Sequence, residues 1–279
     1  MPRLLAVHAH PDDETLTMGA TLARCAAEGI AVTLVTATLG EQGEVIGAEL
    51  AGLAADEADQ LGGYRYTELA AACRALGITD HRMLGGVGAF RDSGMAGTPS
   101  ADHPRAFVRA RTGGPDHARA VAALVAVIDE VRPDVLLTYD ADGGYGHPDH
   151  IAAHEVAVAA AAGRVPRVLA AVKPRAELAR LVAGMTVPAG YAAPRDGDLG
   201  FLVDDAEIGA TVELGPGAPA RRAALAAHAT QVELLPGGFA LSNRIAQPDP
   251  SAEWFRVVTG DALPGIVSGG PDVLFAGAG

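Results

Sequence analysis

The chain has 279 residues, 49% of them hydrophobic and 20% charged, which suits one large α/β domain or a domain with a smaller appendage. A formal net charge of −13 argues against nucleic acid and anionic membranes as partners and fits a small neutral polar ligand. There is no apolar run of about 18 residues, so no transmembrane helix is expected; Cys25 and Cys73 stand apart in alanine-rich segments and read as reduced, buried thiols.

Residues 4–8 are apolar and strand-like, and a helix is predicted from about 13 to 28, closed by Gly29. Residues 30–36, rich in Val, Leu and Thr, form the next strand, and this βαβ pattern implies a right-handed crossover in a parallel sheet. Residues 39–48 read as a polar loop, 49–76 as helical with an interruption at Gly62-Gly63, and 82–84 as a short strand. A glycine-rich loop runs through Gly97, and 98–114 read as an exposed excursion. A helix over 118–131, a strand over 134–139 and a helix over 151–162 follow. Beyond residue 165 come a strand at 168–172, a short helix at 177–183, short strands at 201–203 and 210–214, a helix at 220–230, a strand at 254–258 and a frayed tail after 268. The expected architecture is α/β: a Rossmann-like, mostly parallel sheet flanked by helices over 1–165, with a smaller C-terminal α+β lobe over 166–279 that completes a cleft. The N-terminus enters a strand at once, so a cytoplasmic location is expected.

Two polar clusters each follow an apolar strand: His8-Ala9-His10-Pro11-Asp12-Asp13-Glu14, and Gly143-Gly144-Tyr145-Gly146-His147-Pro148-Asp149-His150. Ligands of open α/β sheets bind outside the carboxyl ends of the strands, so the two clusters can meet at one site. His10 and Asp13, three apart across a helix start, can converge, and His150 supplies a third donor. Two His and one Asp with an open position suit one Zn²⁺ per subunit, and would also accept Fe²⁺, Co²⁺ or Mn²⁺. Alone, Asp12 and Asp13 would read as helix caps, and Pro11 as a helix start. His8 lies within the strand pattern and reads as structural.

If the metal site served amide hydrolysis, that reaction would need an activated water, a stabilised oxyanion and a protonated leaving nitrogen. Asp12, beside a metal ligand, can accept the water's proton. Tyr145, among Gly143, Gly144 and Gly146, can swing in to donate to the oxyanion, or pack over the cleft rim. His147 as an imidazolium can stabilise the oxyanion or protonate the amine. Asp149 either orients His147 and raises its pKa or supports a ligand histidine. A nucleotide-binding module would need G-x-G-x-x-G after the first strand, where two carboxylates stand instead.

These motifs resemble the metal-dependent N-acetylglucosaminyl deacetylases, which include phosphatidylinositol-glycan deacetylases and bacillithiol- and mycothiol-pathway enzymes. Stretches at 38–47, 60–65, 91–97, 227–231 and 241–243 are similar to the actinobacterial mycothiol-pathway branch. The resemblance covers most of 3–160 and returns around 220–245. It implies hydrolysis of the N-acetyl group of a pseudodisaccharide, 1-D-myo-inositol 2-acetamido-2-deoxy-α-D-glucopyranoside, to acetate and the free amine. It places His10, Asp13 and His150 on the metal and Asp12 as base. Tyr145 and His147 stabilise or protonate the tetrahedral intermediate, and Asp149 orients His147. Glu44, Arg65, Asp92 and Met95 are candidates for binding the sugar, with core packing the alternative for Met95. His228 is expected to line the cleft from the second lobe. A sister activity, mycothiol S-conjugate amidase, shares the metal motifs and is the alternative.

Overall fold

The computed structural model describes residues 1–195 and 197–277. Strand β1 (Arg3–His8) is central, parallel to β2 (Ala31–Thr36) on one side and β4 (Val135–Thr138) on the other. With β3 (Asp80–Met83) beyond β2 and β5 (Arg167–Pro174) beyond β4, five parallel strands run in the order β3-β2-β1-β4-β5. Leu4 and Ala6 face one core and Leu5 and Val7 the other, so β1 is buried on both faces, which explains its unbroken apolar run.

The second half of the chain extends the same sheet. β6 (Leu202–Val203) pairs with the end of β5, β11 (Ala252–Gly260) lies antiparallel to β5, and β7 (Ala210–Glu213) and β12 (Val267–Gly269) complete that edge. A separate antiparallel sheet, β8 (Glu233–Leu235), β9 (Gly238–Ala240) and β10 (Ala246–Pro248), carries three strands that the sequence pattern did not reveal. Helices α1 (Asp13–Ala27), α2 (Leu61–Leu76) and α6 (Ala218–Ala227) cover one face, and α3 (His117–Val131) and α4 (Pro148–Ala161) the other. α5 (Arg175–Ala183) follows β5 directly. Cys25 and Cys73 are free and buried in the first core, and burial pushes the Cys73 thiol up to about 12. No helix among the described residues is long and apolar enough to cross a membrane.

Four local expectations are corrected. The break predicted at Gly62-Gly63 falls earlier: a 3-10 turn spans Ala48–Leu53, and both glycines lie in the first turn of α2. Gly62 is there for packing, because a Cβ would come within 2.7 Å of Glu41 Cγ. The 98–114 segment is anchored by Phe107, buried edge-to-face on Phe90 with centroids 5.1 Å apart. α6 ends at Ala227, three residues early, as the chain turns through His228. The tail is tied down as far as it is described: the buried Arg167 donates to the carbonyls of Asp261, Ala262, Leu274 and Ala276. Residues 278 and 279 lie outside the described residues.

Helix α1 breaks at Met18 (φ −149°, ψ 20°). The N–H groups of Ala20 and Thr21, freed at the start of its second segment, donate to Glu253 of β11 at 2.9 and 2.7 Å. The carboxylate thus caps an internal helix start, the position where negative charge is favoured. Arg221 of α6 lies 3.6 Å from that carboxylate.

Candidate metal centre and active site

The parallel strands share one carboxyl edge, and both motifs emerge there. His10 lies just past β1, Asp13 opens α1, and His150 sits in the first turn of α4. His10 Nδ1 is 3.3 Å from Asp13 Oδ2, His150 Nε2 is 3.3 Å from Asp13 Oδ1, and the two nitrogens are 3.3 Å apart. A tetrahedral ion with bonds of about 2.0–2.1 Å has donor–donor edges of about 3.3 Å, so this triangle of residues, which meets His10 through one Asp13 oxygen and His150 through the other, has the spacing of donors to a zinc-sized ion.

The surrounding groups fix these donors. His150 Nδ1 donates to Gly143 O at 3.0 Å, which leaves Nε2 free to face Asp13. His10 Nε2 meets Asp149 at 3.2 Å and Asp92 at 3.5 Å, leaving Nδ1 on the inner side. Tyr139 donates its hydroxyl to Asp13 at 2.6 Å, accepts Ala9 N–H at 2.8 Å, and stacks on His150 with centroids 4.1 Å apart. Burial opposes charge on His10, but Asp92, Asp13 and Asp149 outweigh it and raise its pKa well above the ordinary value. His10–His147–His150 and His10–Asp92–Asp149 also come within coordination reach of one another. Asp149 and Asp92 meet the outer nitrogen of His10 and take backbone donors from Ser93, Gln42 and Gly94.

Asp12 holds φ 96° and ψ −32°, a conformation that costs a non-glycine residue about 1–3 kcal/mol. It occupies the N-cap position yet makes no side-chain cap, and Pro11 precedes the helix rather than starting it. Its carboxylate instead lies 3.2 Å from Arg65, whose guanidinium also donates to Gly40 O and Pro11 O. Burial raises the Asp12 pKa and Arg65 pulls it back, leaving it at about 6.

Glu14 was not singled out in the sequence, yet it supports this turn. One carboxylate oxygen accepts Asp12 N–H at 3.0 Å, and the other lies 2.8 Å from His228 Nε2, with both side chains fully buried. His228 therefore does not line the cleft but ties the second half of the chain to the first motif. Burial raises Glu14 but His228 outweighs it and holds Glu14 below 4.5; burial lowers His228 but Glu14 holds it above 6.5. The lowered acid stabilises the fold above 4.5 and loses that contribution as pH falls through its folded value. The raised base stabilises it below 6.5 and loses that contribution as pH rises through its own. The pair is thus fully effective between these values. His228→Ala, which strands a buried carboxylate, should destabilise the fold by about 3 kcal/mol in chemical denaturation near pH 6. A loss below about 1 kcal/mol would refute the buttress.

In the second motif, Gly143 and Gly144 have φ of 68° and 80°. A Cβ on Gly144 would lie 2.4 Å from the Phe201 ring, so packing as well as turn shape requires glycine. Tyr145 is 52% exposed at the rim, its ring edge-on to His150 at 5.0 Å and His147 at 6.0 Å. His147 caps α4, its Nδ1 accepting Asp149 N–H at 3.1 Å. That bond puts the His147 proton on Nε2. Burial, with His10 and His150 adding to it, pushes His147 down to about 3. In its neutral form His147 can donate through Nε2–H. The Asp149 carboxylate faces His10, not His147, so only its backbone orients His147.

These groups open into a cavity of about 580 Å³ that Glu44, Arg65, Asp92 and Met95 also line. Arg65 and Asp92 are buried and committed to Asp12, Gly40, Gln42 and Gly94, whereas Glu44 and Met95 are exposed. At 47% exposure Met95 is a rim residue, not a core one. Lys173, Leu199, Phe201, Gln231, Asn243 and Gln247 close the cavity from the second half of the chain.

A model of the GlcNAc-PI de-N-acetylase (PIG-L) family matches residues 5–161. A 1D-myo-inositol 2-acetamido-2-deoxy-alpha-D-glucopyranoside deacetylase of Nakamurella multipartita is 65% identical over 266 residues, covering 94% of this chain and 91% of that protein. A protein of the same description from Rhodococcus erythropolis is 48% identical, covering 99% of this chain and 97% of its own. Among solved structures, 4-carboxy-2-hydroxymuconate hydratase from Pseudomonas putida superposes with a TM-score of 0.56 at 19% identity, over 94% of this chain and 98% of that one. That likeness concerns the fold alone, since a shared scaffold does not fix the reaction. With more than half its length matched by the family model and near-full-length relatives at this identity, the chain belongs to the PIG-L family of GlcNAc-PI de-N-acetylases.

Proposed function

We propose that this chain is a zinc-dependent amidohydrolase. It removes the N-acetyl group of 1D-myo-inositol 2-acetamido-2-deoxy-α-D-glucopyranoside, releasing acetate and the free amine in mycothiol biosynthesis. The relative at 65% identity supports the substrate. The observation that carries the chemistry is the 3.3 Å triangle of His10, Asp13 and His150 with the Asp12 carboxylate beside it. We place one Zn²⁺ per subunit on those three residues, and the enzyme in the cytoplasm.

Zinc, when bound, would polarise the acetyl carbonyl and lower the pKa of a water bound to it. Asp12, ionised at neutral pH, takes the proton from the attacking water as its oxygen bonds to the carbonyl carbon. Tyr145 O–H and His147 Nε2–H donate to the carbonyl oxygen as it gains charge. Half exposed at the rim, Tyr145 keeps its hydroxyl protonated at neutral pH, where a phenol with its ordinary pKa of about 10 does not ionise. When the C–N bond breaks, the proton held by Asp12 passes to the leaving nitrogen, and a carboxylate with a pKa near 6 suits both transfers. Asp149 holds His10, Arg65 holds Asp12, and Asp92, Glu44 and Met95 shape the sugar pocket. Residues 166–279 act as the smaller lobe that closes the cleft.

The test is acetate release from the pseudodisaccharide by native, metal-stripped and Zn²⁺-reconstituted protein. Activity should vanish on stripping and return with Zn²⁺. A stripped protein that keeps its turnover would refute the reading.

A further inference from the structure

The cleft extends beyond the metal centre toward the end of β5. Ala6 is level with Leu137 on β4, and Leu137 with Leu169 on β5. β1 and β5 run on toward the same carboxyl edge, where His10 follows β1 and Lys173 lies near the end of β5. Two strand spacings of about 4.8 Å separate β1 from β5, so the carboxyl ends of the two strands stand about 10 Å apart along the sheet edge, the length of a two-ring sugar.

Lys173 is the chain's only lysine. It lines the catalytic cavity and also the smaller apolar pocket behind it. Among the described residues, its ammonium has no hydrogen-bond or ion-pair partner. It lies 5.4 Å from the centroid of the Phe201 ring. The lysine side chain is only partly buried, and that burial lowers its pKa to about 8.

Phe201 is an independent sign of function. Its φ of 68° is unusual for an aromatic residue, and such strain gathers at ligand sites. Two bonds enforce it: Phe201 N–H donates to Gly144 O at 2.6 Å, and Phe201 O accepts Lys173 N–H at 2.7 Å. The ring is thereby fixed between the catalytic loop and β5, 6.1 Å from Tyr145 and 6.5 Å from His150. Gln247 lines both pockets with Phe201 and Lys173, and Asn243 lines the cavity. An apolar ring face beside a cation and amides is the chemistry that holds a polyhydroxylated ring: C–H groups on the aromatic, hydroxyls on the donors.

We propose that Phe201 and Lys173 form a second-ring subsite that takes the polyol ring attached to the acetylated sugar, and so set the enzyme's preference for a two-ring substrate. This rests on the deacetylase reading above. It is tested by assaying wild type and Lys173→Met on the pseudodisaccharide and on methyl 2-acetamido-2-deoxy-α-D-glucopyranoside, which lacks the second ring. Losing a charged hydrogen bond should lower kcat/KM on the pseudodisaccharide about tenfold, through KM, and leave the methyl glycoside unaffected. Lys173→Arg should recover part of the loss, and Lys173→Gln serves if the Met variant fails to fold. An equal loss on both substrates, or none on the pseudodisaccharide, would overturn the subsite while leaving the deacetylase intact. If the methyl glycoside is turned over too slowly to measure, the split on the pseudodisaccharide decides: a raised KM supports the subsite and a lowered kcat refutes it. Wild type inert on both substrates would instead remove the functional reading, and the subsite with it.

Discussion

Asp12→Asn should lower kcat about 10²–10⁴-fold while the protein keeps its zinc, because general-base catalysis is worth about that much. Asn is the informative replacement. It preserves the shape of the side chain and tolerates the positive φ that Asp12 adopts, whereas Ala would add backbone strain to the chemical loss. The neutral amide also keeps an oxygen for Arg65, which lies 3.2 Å from the native carboxylate. The pH profile supplies a second readout. A base acts only when unprotonated, and burial holds Asp12 at about 6, so kcat/KM should fall as pH drops through that value. A nearby metal cation can only lower the value, which sets about pH 6 as the upper bound for the acid limb. Residual activity in Asp12→Asn should lack that limb. Activity within threefold of wild type, or an unchanged limb, would remove Asp12 from the base role.

The part of the site readable from sequence is the part carried by short contiguous motifs. His10 and Asp13 are three residues apart, His147 and His150 likewise, and each pair follows an apolar strand whose carboxyl end must open on the ligand edge. Parallel strands buried on both faces leave an equally plain signal, so the order of elements through α4 was legible. What escaped depends on pairs far apart in the chain. Glu14 reads as one more acidic residue in a helix start until His228, 214 residues away, is found on its carboxylate. Tyr139 reads as the last apolar residue of a strand, although its hydroxyl reaches Asp13 across 126 residues. Sequence alone leaves Asp149 between orienting His147 and supporting a ligand histidine, and only the first turn of α4 aims its carboxylate back at His10. The three-residue strands β8 to β10 are too short for an alternation to register.

Asp13→Asn should abolish zinc retention and reduce turnover at least about 10³-fold, since a lost metal forfeits several kcal/mol of transition-state stabilisation. Asp13 is the most connected group in the site. Its carboxylate closes the triangle with His10 and His150, accepts His10 N–H at 2.9 Å, and takes the Tyr139 hydroxyl at 2.6 Å. Burial opposes its charge, yet His150 and His10 outweigh that cost and hold it ionised well below the ordinary carboxylate range. Asn retains an oxygen for Tyr139 but not the negative charge that offsets a dication. Asp13→Ala removes both, and leaves Tyr139 O–H and His10 N–H buried without an acceptor, a further cost of about 1–3 kcal/mol. The two variants therefore separate metal binding from architecture. A ligand that binds only the native state raises its melting temperature. Wild type should accordingly melt higher with added Zn²⁺, Asp13→Asn should show no such rise at a metal-free stability close to wild type, and Asp13→Ala should melt lower with or without metal. An Asp13→Asn protein that still gains thermal stability from Zn²⁺ and carries it through dialysis would mean that the ion rests on His10, His147 and His150 instead, the other histidine set within coordination reach.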